Sequence, residues 1–390
     1  MKEPQYHALP DELSVLVSQH WQHFVESGHR IPDALLDDLP RVWAGSDYVA
    51  QQFQRDPGLG QWLEDSDPSG ALVEDSLRQT VQEQLAACHN EDELKRALRR
   101  LRHRHMVRII WRDLAGIGDY HSTVADLSLL ADTLIQEALA VLHGWACEKS
   151  GTPVGPDGKP VKLVVLAMGK LGARELNLSS DIDLIFAYEH EGEIEGGRRS
   201  LSHHQFFVRL GQQLIKALDQ PTADGFVFRV DMRLRPWGKS GVLAIGFDAM
   251  EGYYETQGRE WERYALIKMR PVGGDLQAGK RLIKRLNPFV YRRYIDYGAF
   301  HSLREMKSLI EREVNRKGMQ ADVKLGAGGI REVEFIVQAF QLIRGGQLPA
   351  LREPNLIKVL PQLVELELLP EDVADELTEA YLFLRDVEHR

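Results

Sequence analysis

The sequence predicts an α+β protein that is mostly α, and three observations lead to that prediction. Apolar residues recur at helical spacing through the first 148 residues, most clearly in Ala125–Trp145. The β-branched apolar run Val161–Met168 has the length of a buried strand, and Phe226–Pro236 alternates apolar and charged residues at period two. Helical patterns dominate again toward the end of the chain. We therefore expect three regions, which are a helical region 1–148, a strand-containing region 149–275 and a helical region 276–390.

Composition limits the class of protein. With 390 residues, 43% of them hydrophobic, the chain can bury a large core in two or three domains. The net charge of −10 argues against a nucleic-acid partner. Cys88 and Cys147 lack metal-ligand spacing, which favours free thiols in a reducing cytoplasm. No signal peptide and no apolar run of roughly 20 residues is visible, so we expect a cytoplasmic protein outside the membrane.

One segment of the first region is strongly basic. Lys95–Arg108 holds nine Lys, Arg and His residues, interrupted by Leu98, Leu101 and Met106. This pattern is typical of a helix whose charged face is solvated and whose apolar residues reach the core. Contact with an acidic protein surface is the alternative.

The most informative stretch is Val161–Tyr188, which predicts strand, glycine turn, short helix and strand. Asp181 and Asp183 lie two residues apart within an otherwise apolar run. In a strand this spacing directs both carboxylates to one face, while Ile182 and Leu184 point into the core. Two adjacent carboxylates repel each other, and a hard divalent cation such as Mg²⁺ is the obvious compensating charge.

A third carboxylate lies in the alternating segment Phe226–Pro236. Asp231 shares the predicted polar face of that strand with Arg229, Arg233 and Arg235. Internal salt bridges on a surface strand would give the same pattern, so Asp231 by itself is ambiguous.

Three later segments add weaker signals. Ala265–Val272 presents Lys268 and Arg270, and the pattern leaves open whether it is a strand or a helix end. The glycine-rich stretch Lys324–Gly329 precedes a predicted helix up to about Ile343, whose open N-terminal amides could hold an anion; a purely structural turn is equally compatible. The helical pattern from Glu371 to Arg390 has no stop signal, so we expect a fragment of a longer protein.

The ordered set of glycine turn, Asp-x-Asp strand and third aspartate resembles the polymerase β-like nucleotidyltransferases. The resemblance implies a small mixed sheet in a catalytic domain at 149–275, with Asp181, Asp183 and Asp231 as both catalytic residues and ligands of Mg²⁺, two ions in all. Such ions lie about 3.5–4 Å apart and clamp the attacking and leaving oxygens at phosphorus. The resemblance also implies a set of residues that hold nucleotide and phosphate, namely Gly169, Lys170, Ser180, Arg233, Arg235, Lys268 and Arg331. It leaves the role of Glu334 open. Lys170 departs from the pattern, because most of that superfamily has Ser there.

A closer resemblance covers essentially the whole chain. The stretches GKLGARELNLSSDIDLIF, VDMRLRPWGKSG, YYETQGREWERYALIKMRPVGGD and KLGAGGIREVEFIVQAFQLIRGG are similar to the N-terminal, adenylyl-removing half of the glutamine synthetase adenylyltransferase family. That resemblance implies phosphorolysis, in which phosphate releases AMP from a tyrosine of adenylylated glutamine synthetase as ADP. It implies glutamine synthetase as partner, and the uridylylated PII signal protein as partner of the full-length enzyme.

Several other functions stay open at this stage. An adenylylating half would run the same chemistry forward with ATP, and the KLGAGGIREVEF stretch argues against it only through resemblance. A uridylyltransferase acting on a signal protein would bind UTP instead. A non-catalytic module that binds PII or glutamine synthetase would bind no nucleotide with Mg²⁺, and an α+β domain with ordinary salt bridges would have no site at all.

Overall fold

The computed structural model describes residues 3–194, 201–291 and 322–389, with residues 307, 308, 312 and 316 between the last two ranges. The chain forms two compact units. The first comprises Met1–Leu134 and Pro221–Val227, and the second comprises Ile135–Gln220 and Phe228–Arg390. The predicted region boundaries at residues 148 and 275 stay predictions.

The first unit is helical. Its core contains Trp43, Phe24, Phe53 and Trp111, whose rings lie 5.7–6.3 Å apart between centroids and include edge-to-face pairs. Polar caps begin two of its helices, since Ser46 and Asn90 accept hydrogen bonds from backbone amides of the first turn. The helices are α1 (Asp11–Glu26), α2 (Leu39–Gly45), α3 (Asp47–Arg55), α4 (Leu59–Asp65), α5 (Glu74–Ala86), α6 (Glu91–Leu114) and the first half of α7 (Tyr120–Ser150), with 3₁₀ turns at Tyr6–Ala8 and Asp33–Leu35.

The basic segment lies in α6, and the prediction of a solvated charged face is wrong for much of it. Arg99 is fully buried, and Lys95, His105 and Arg108 are also buried. The Arg99 guanidinium donates to the carbonyl oxygens of Gly225 at 2.8 Å and Lys95 at 2.9 Å. The buried Arg99 guanidinium is tolerated here because backbone carbonyls accept its hydrogen bonds.

The second unit contains the predicted sheet, and the sheet is mixed, as expected. Strand β1 (Val164–Ala167) pairs antiparallel with β2 (Ile182–Tyr188) and with β7 (Arg270–Gly274). Two further strands, β5 (Val230–Asp231) and β6 (Ala244–Gly246), pair parallel with β2. A separate two-stranded sheet joins β3 (Glu193–Ile194) to β4 (Leu201–Ser202). Ile182 and Leu184 are fully buried, as the alternation in β2 predicts.

The predicted strand Phe226–Pro236 is much shorter than its pattern suggests. Only Val230 and Asp231 form β5, and the chain turns immediately afterwards. The Arg235 guanidinium holds this turn by donating to the carbonyl oxygens of Met232 at 2.6 Å and Gly241 at 3.2 Å. The alternation therefore describes a strand end followed by a loop, because Arg235 binds its own loop instead of facing the sheet.

Helices surround the sheet, so the fold class α+β, mostly α, is confirmed. Residues 265–272 contain a helix end and then strand β7. Within the described residues, the helices of this unit are the second half of α7, α8 (Gly169–Gly172), α9 (His203–Asp219), α10 (Phe247–Thr256), α11 (Glu260–Leu266), α12 (Leu276–Val290), α13 (Ile330–Arg344), α14 (Leu356–Glu365) and α15 (Glu371–His389), with 3₁₀ turns at Gly238–Ser240 and Pro349–Arg352.

Two expectations about the chain as a whole can be compared with this structure. Cys88 and Cys147 are both free, as predicted. Among the described residues, no helix has the length and apolar character needed to cross a membrane.

Candidate active site

The sheet brings together two of the three predicted carboxylates. Strand β5 runs parallel to β2 in a register that makes Asp231 the direct partner of Asp183. Directly opposed residues on adjacent strands have side chains within contact range of each other. The pairing joins residues 48 positions apart in the sequence, so the local pattern alone could not give it.

Asp181 lies immediately before β2 and is about half exposed, with a side-chain exposure of 48%. Its carboxylate forms an ion pair with Arg229. Asp231 is held in the same way by Arg233, whose Nε donates to Oδ2 at 2.7 Å and whose backbone amide donates to Oδ1 at 2.8 Å. These hydrogen bonds hold the pKa of Asp231 below its ordinary value.

Asp183 has the opposite electrostatic environment. Burial, followed by repulsion from Asp231 and Asp181, raises the pKa of Asp183 to about 6. Arg233 and Lys324 are the cationic neighbours that oppose this rise. Such a raised pKa means that the surroundings of Asp183 disfavour its negative charge, because neighbouring cations do not fully compensate it.

The glycine turn between β1 and β2 lies against this carboxylate. Gly169 adopts a left-handed backbone conformation (φ +55°), and a Cβ atom at this position would lie 2.6 Å from Asp183 Oδ2. A Cβ on Gly172 would lie 1.9 Å from the Lys268 carbonyl oxygen, so no side chain fits there. Both glycines are therefore required by close approach, and Gly169 keeps the space beside Asp183 clear.

The Lys170 side chain contacts α15. Its Nζ lies 2.8 Å from Glu388 Oε1. Burial lowers the pKa of Lys170 to about 8, although the Glu388 carboxylate favours the charged form. Ser180 lies directly before Asp181, and its amide donates to the Asn177 carbonyl at 3.2 Å.

The remaining predicted phosphate ligands do not converge on the aspartates. Lys268 is buried and pairs with Glu334 at 2.6 Å and with Glu175 at 3.7 Å. Arg235 binds the carbonyls of its own loop, as described above. Arg331 is exposed at the start of α13.

The Gly-rich stretch before α13 is a structural turn, and the suggested anion site at its helix N-terminus is not available. Backbone amides there already have acceptors: Gly328 donates to Glu332, Ile330 to Val323 and Arg331 to Lys324. The same stretch nevertheless contributes Lys324, which acts electrostatically on both Asp183 and Glu388.

Sequence reasoning missed the group around Glu388. The carboxylate of Glu388 also accepts from Arg385 Nη1 at 2.8 Å and Asn177 Nδ2 at 3.1 Å. Asn177 lies in the GKLGARELNLSSD stretch, but helix α15 is more than 200 residues away in sequence. The only available signal was the polar pair Glu175 and Asn177, which lies between Leu171 and the Asp181 carboxylate.

The residues at the aspartate site suit a hard divalent cation by their chemistry. Asp181, Asp183 and Asp231 supply only oxygen donors, and the raised pKa of Asp183 marks negative charge that a cation would neutralise. Within the described ranges, no three His, Cys, Asp or Glu side chains are already gathered as a ligand set. Arg229 and Arg233 form ion pairs with two of the three carboxylates, Asp181 and Asp231. A metal cation bound by these carboxylates would replace the two guanidinium groups.

Comparisons with known proteins identify the family of this chain. The sequence model for glutamate-ammonia ligase adenylyltransferase matches residues 36–284, and the one for GlnD PII-uridylyltransferase matches residues 304–390. Similar relatives are bifunctional glutamine synthetase adenylyltransferase/adenylyl-removing enzymes. That of Pseudomonas aeruginosa is 55% identical over 360 residues, covering 92% of this chain and 37% of the relative. That of Hahella chejuensis is 50% identical over 384 residues, covering 97% of this chain and 40% of the relative.

A third such relative, from Shewanella loihica, is 47% identical over 393 residues and covers all of this chain and 41% of its own length. The chain thus spans about two fifths of the length of the curated relatives it matches. The family model matches residues 36–284, which are well over half of the chain. The chain belongs to the glutamate-ammonia ligase adenylyltransferase family.

Proposed function

We propose that this chain removes AMP from a tyrosine of adenylylated glutamine synthetase by phosphorolysis. The observation that carries the proposal is the pairing of Asp183 with Asp231, beside Asp181 and the Gly169 turn. The names of the relatives support glutamine synthetase as substrate. The match of residues 304–390 to a PII-uridylyltransferase model supports PII as a partner of the full-length protein.

The reaction needs little proton transfer from the protein. An oxygen of hydrogen phosphate attacks the AMP phosphorus, the bond to the tyrosine oxygen breaks, and the phosphate proton ends on that oxygen. The products are ADP and unmodified tyrosine. Because the nucleophile is already an anion near neutral pH, positioning and charge neutralisation account for the rate.

The roles follow from the positions of the side chains. Asp181, Asp183 and Asp231 would hold Mg²⁺, which when bound offsets the negative charge of the phosphates. With a cation on the carboxylates, Arg233 and Arg229 would no longer be needed to compensate them, and their guanidinium donors would be available to phosphate oxygens. Gly169 leaves room for the nucleotide phosphate next to Asp183.

The test is a product assay with a matched control. The chain is incubated with adenylylated glutamine synthetase, Mg²⁺ and phosphate, beside the Asp231→Asn variant, and the released nucleotide is identified. We expect ADP from the wild type and at least about a hundredfold less from the variant. AMP as product would mean hydrolysis, and incorporation of AMP from ATP into unmodified synthetase would identify the adenylylating reaction. Each of these results would refute the proposal.

The variant needs a check on its fold. Asp231→Asn retains the shape of the side chain, and circular dichroism with thermal unfolding would show whether the variant is folded. Full activity in a folded variant would remove Asp231 from the site.

A further inference from the structure

Four donor groups surround the Glu388 carboxylate near the end of α15. Lys170 Nζ lies 2.8 Å from Oε1, and Lys324 Nζ lies 3.9 Å from the same atom. On the other oxygen, Arg385 Nη1 lies at 2.8 Å and Asn177 Nδ2 at 3.1 Å. Three of the four donors are cationic, so one carboxylate faces an excess of positive charge.

The donors are built into the unit and are not loose surface side chains. Arg385 has a side-chain exposure of 1%, and Asn177 is buried. Lys170 and Glu388 each retain 18% side-chain exposure, so the group is reachable from solvent on one side. Glu175 accepts from Arg385 as well, which fixes that guanidinium independently of Glu388.

The group adjoins the aspartate site. Lys170 directly follows Gly169, whose Cβ position lies 2.6 Å from Asp183 Oδ2. Lys324 acts electrostatically on Asp183 and also on Glu388. An anion among these donors would therefore lie near Asp183.

We propose that Lys170, Lys324, Arg385 and Asn177 form a subsite for a phosphate group, and that Glu388 occupies it when phosphate is absent. A phosphate dianion offers more acceptors and more charge than a carboxylate, so it matches three cations and an amide better. The carboxylate must leave when phosphate binds, and the last turn of α15 moves with it. Glu388 thus competes with substrate at this site.

The identity of the phosphate rests on the proposed function, but the existence of the site does not. Two sources share this chemistry, namely free inorganic phosphate and the phosphate of the AMP group. Binding is therefore measured directly, without glutamine synthetase and without Mg²⁺, by calorimetric titration with inorganic phosphate in one arm and with AMP in the other.

The deciding variant is Glu388→Gln, which keeps the size of the side chain and removes its charge. We expect it to bind inorganic phosphate at least about tenfold more tightly than the wild type, because a competing negative charge at contact distance is lost. Stronger binding of AMP alone would assign the subsite to the nucleotide phosphate. Unchanged or weaker binding of both ligands would overturn the proposal.

Two further variants serve as a control and as an alternative test. Glu189→Gln removes a carboxylate that pairs with Arg281 at 2.9 Å elsewhere on the unit, and it should leave phosphate binding unchanged. If Glu388→Gln does not fold, Lys324→Gln provides the test, because this side chain is 47% exposed and its loss should weaken phosphate binding about tenfold. Unchanged binding in that variant would overturn the proposal. Tight phosphate binding without ADP formation would instead refute the proposed reaction and leave the subsite standing.

Discussion

Replacing Asp183 with Asn should stabilise the protein at neutral pH while it removes a proposed metal ligand. Burial and two neighbouring carboxylates raise the pKa of Asp183 from its ordinary 3.8 to about 6. The folded state therefore holds this proton more tightly than the unfolded state does. As the pH rises from about 4 to about 6, the unfolded chain releases the proton first, so stability falls across this range and the penalty is complete above it.

The size of the effect follows from the shift. Each pKa unit corresponds to about 1.4 kcal/mol, so a shift of roughly two units costs the wild type about 3 kcal/mol at pH 8. At pH 4.5 only about 1 kcal/mol of that penalty has developed. Asn has nearly the shape of Asp and carries no charge, so Asp183→Asn should recover about these amounts.

The assay is urea unfolding of metal-free protein, in EDTA, at both pH values. Asp231→Asn is the matched comparison, because hydrogen bonds from Arg233 lower the pKa of Asp231 and its carboxylate is stabilising. That variant should lose stability at pH 8. Finding that Asp183→Asn is no more stable than the wild type at pH 8 would refute the electrostatic argument for this site.

Two further predictions concern the glycine turn and the basic helix. Gly172→Ala should destabilise the second unit by about 3 kcal/mol or more in thermal unfolding, since its Cβ would lie 1.9 Å from a backbone carbonyl oxygen. Gly252→Ala, in open space on a helix, should raise the stability by up to about 1 kcal/mol. Equal effects of the two substitutions would contradict the close packing described for Gly172. Arg99→Ala should cost about 3 kcal/mol in the same measurement because it removes a fully buried side chain together with its hydrogen bonds to the Gly225 and Lys95 carbonyls. Exposed Arg100→Ala should change stability by less than about 0.5 kcal/mol. If both arginine variants changed the stability by similarly small amounts, the interpretation of a solvated charged face would be correct after all.

Local patterns in the sequence were sufficient to predict the secondary-structure elements around the site. Alternation placed Ile182 and Leu184 in the core and Asp183 on the opposite face of β2, and the structure agrees. Helical spacing likewise predicted a helix over Ala125–Trp145, which lies within α7, and the end of α13 to within a residue. These features depend on residues a few positions apart, whose backbone geometry is nearly fixed by the type of element.

Charged side chains were predicted least well, because their partners lie far away in the sequence. Lys170, Lys268 and Arg235 were all expected at phosphate, yet the fold pairs Lys170 with Glu388, Lys268 with Glu334, and Arg235 with carbonyls of its own loop. A flexible cationic side chain can reach several acceptors, and tertiary packing decides which are present.

The sequence by itself determined that a buried strand carrying Asp183, with Asp181 directly before it, follows a glycine turn. Only the tertiary structure decided that Asp231 is the register partner of Asp183 and that Glu388 faces Lys170 and Lys324. Strand register and helix docking are set by burial of apolar surface across the whole unit. The electrostatics of the site follow from those distant contacts, because a charge acts through distance in space and not through position in the chain.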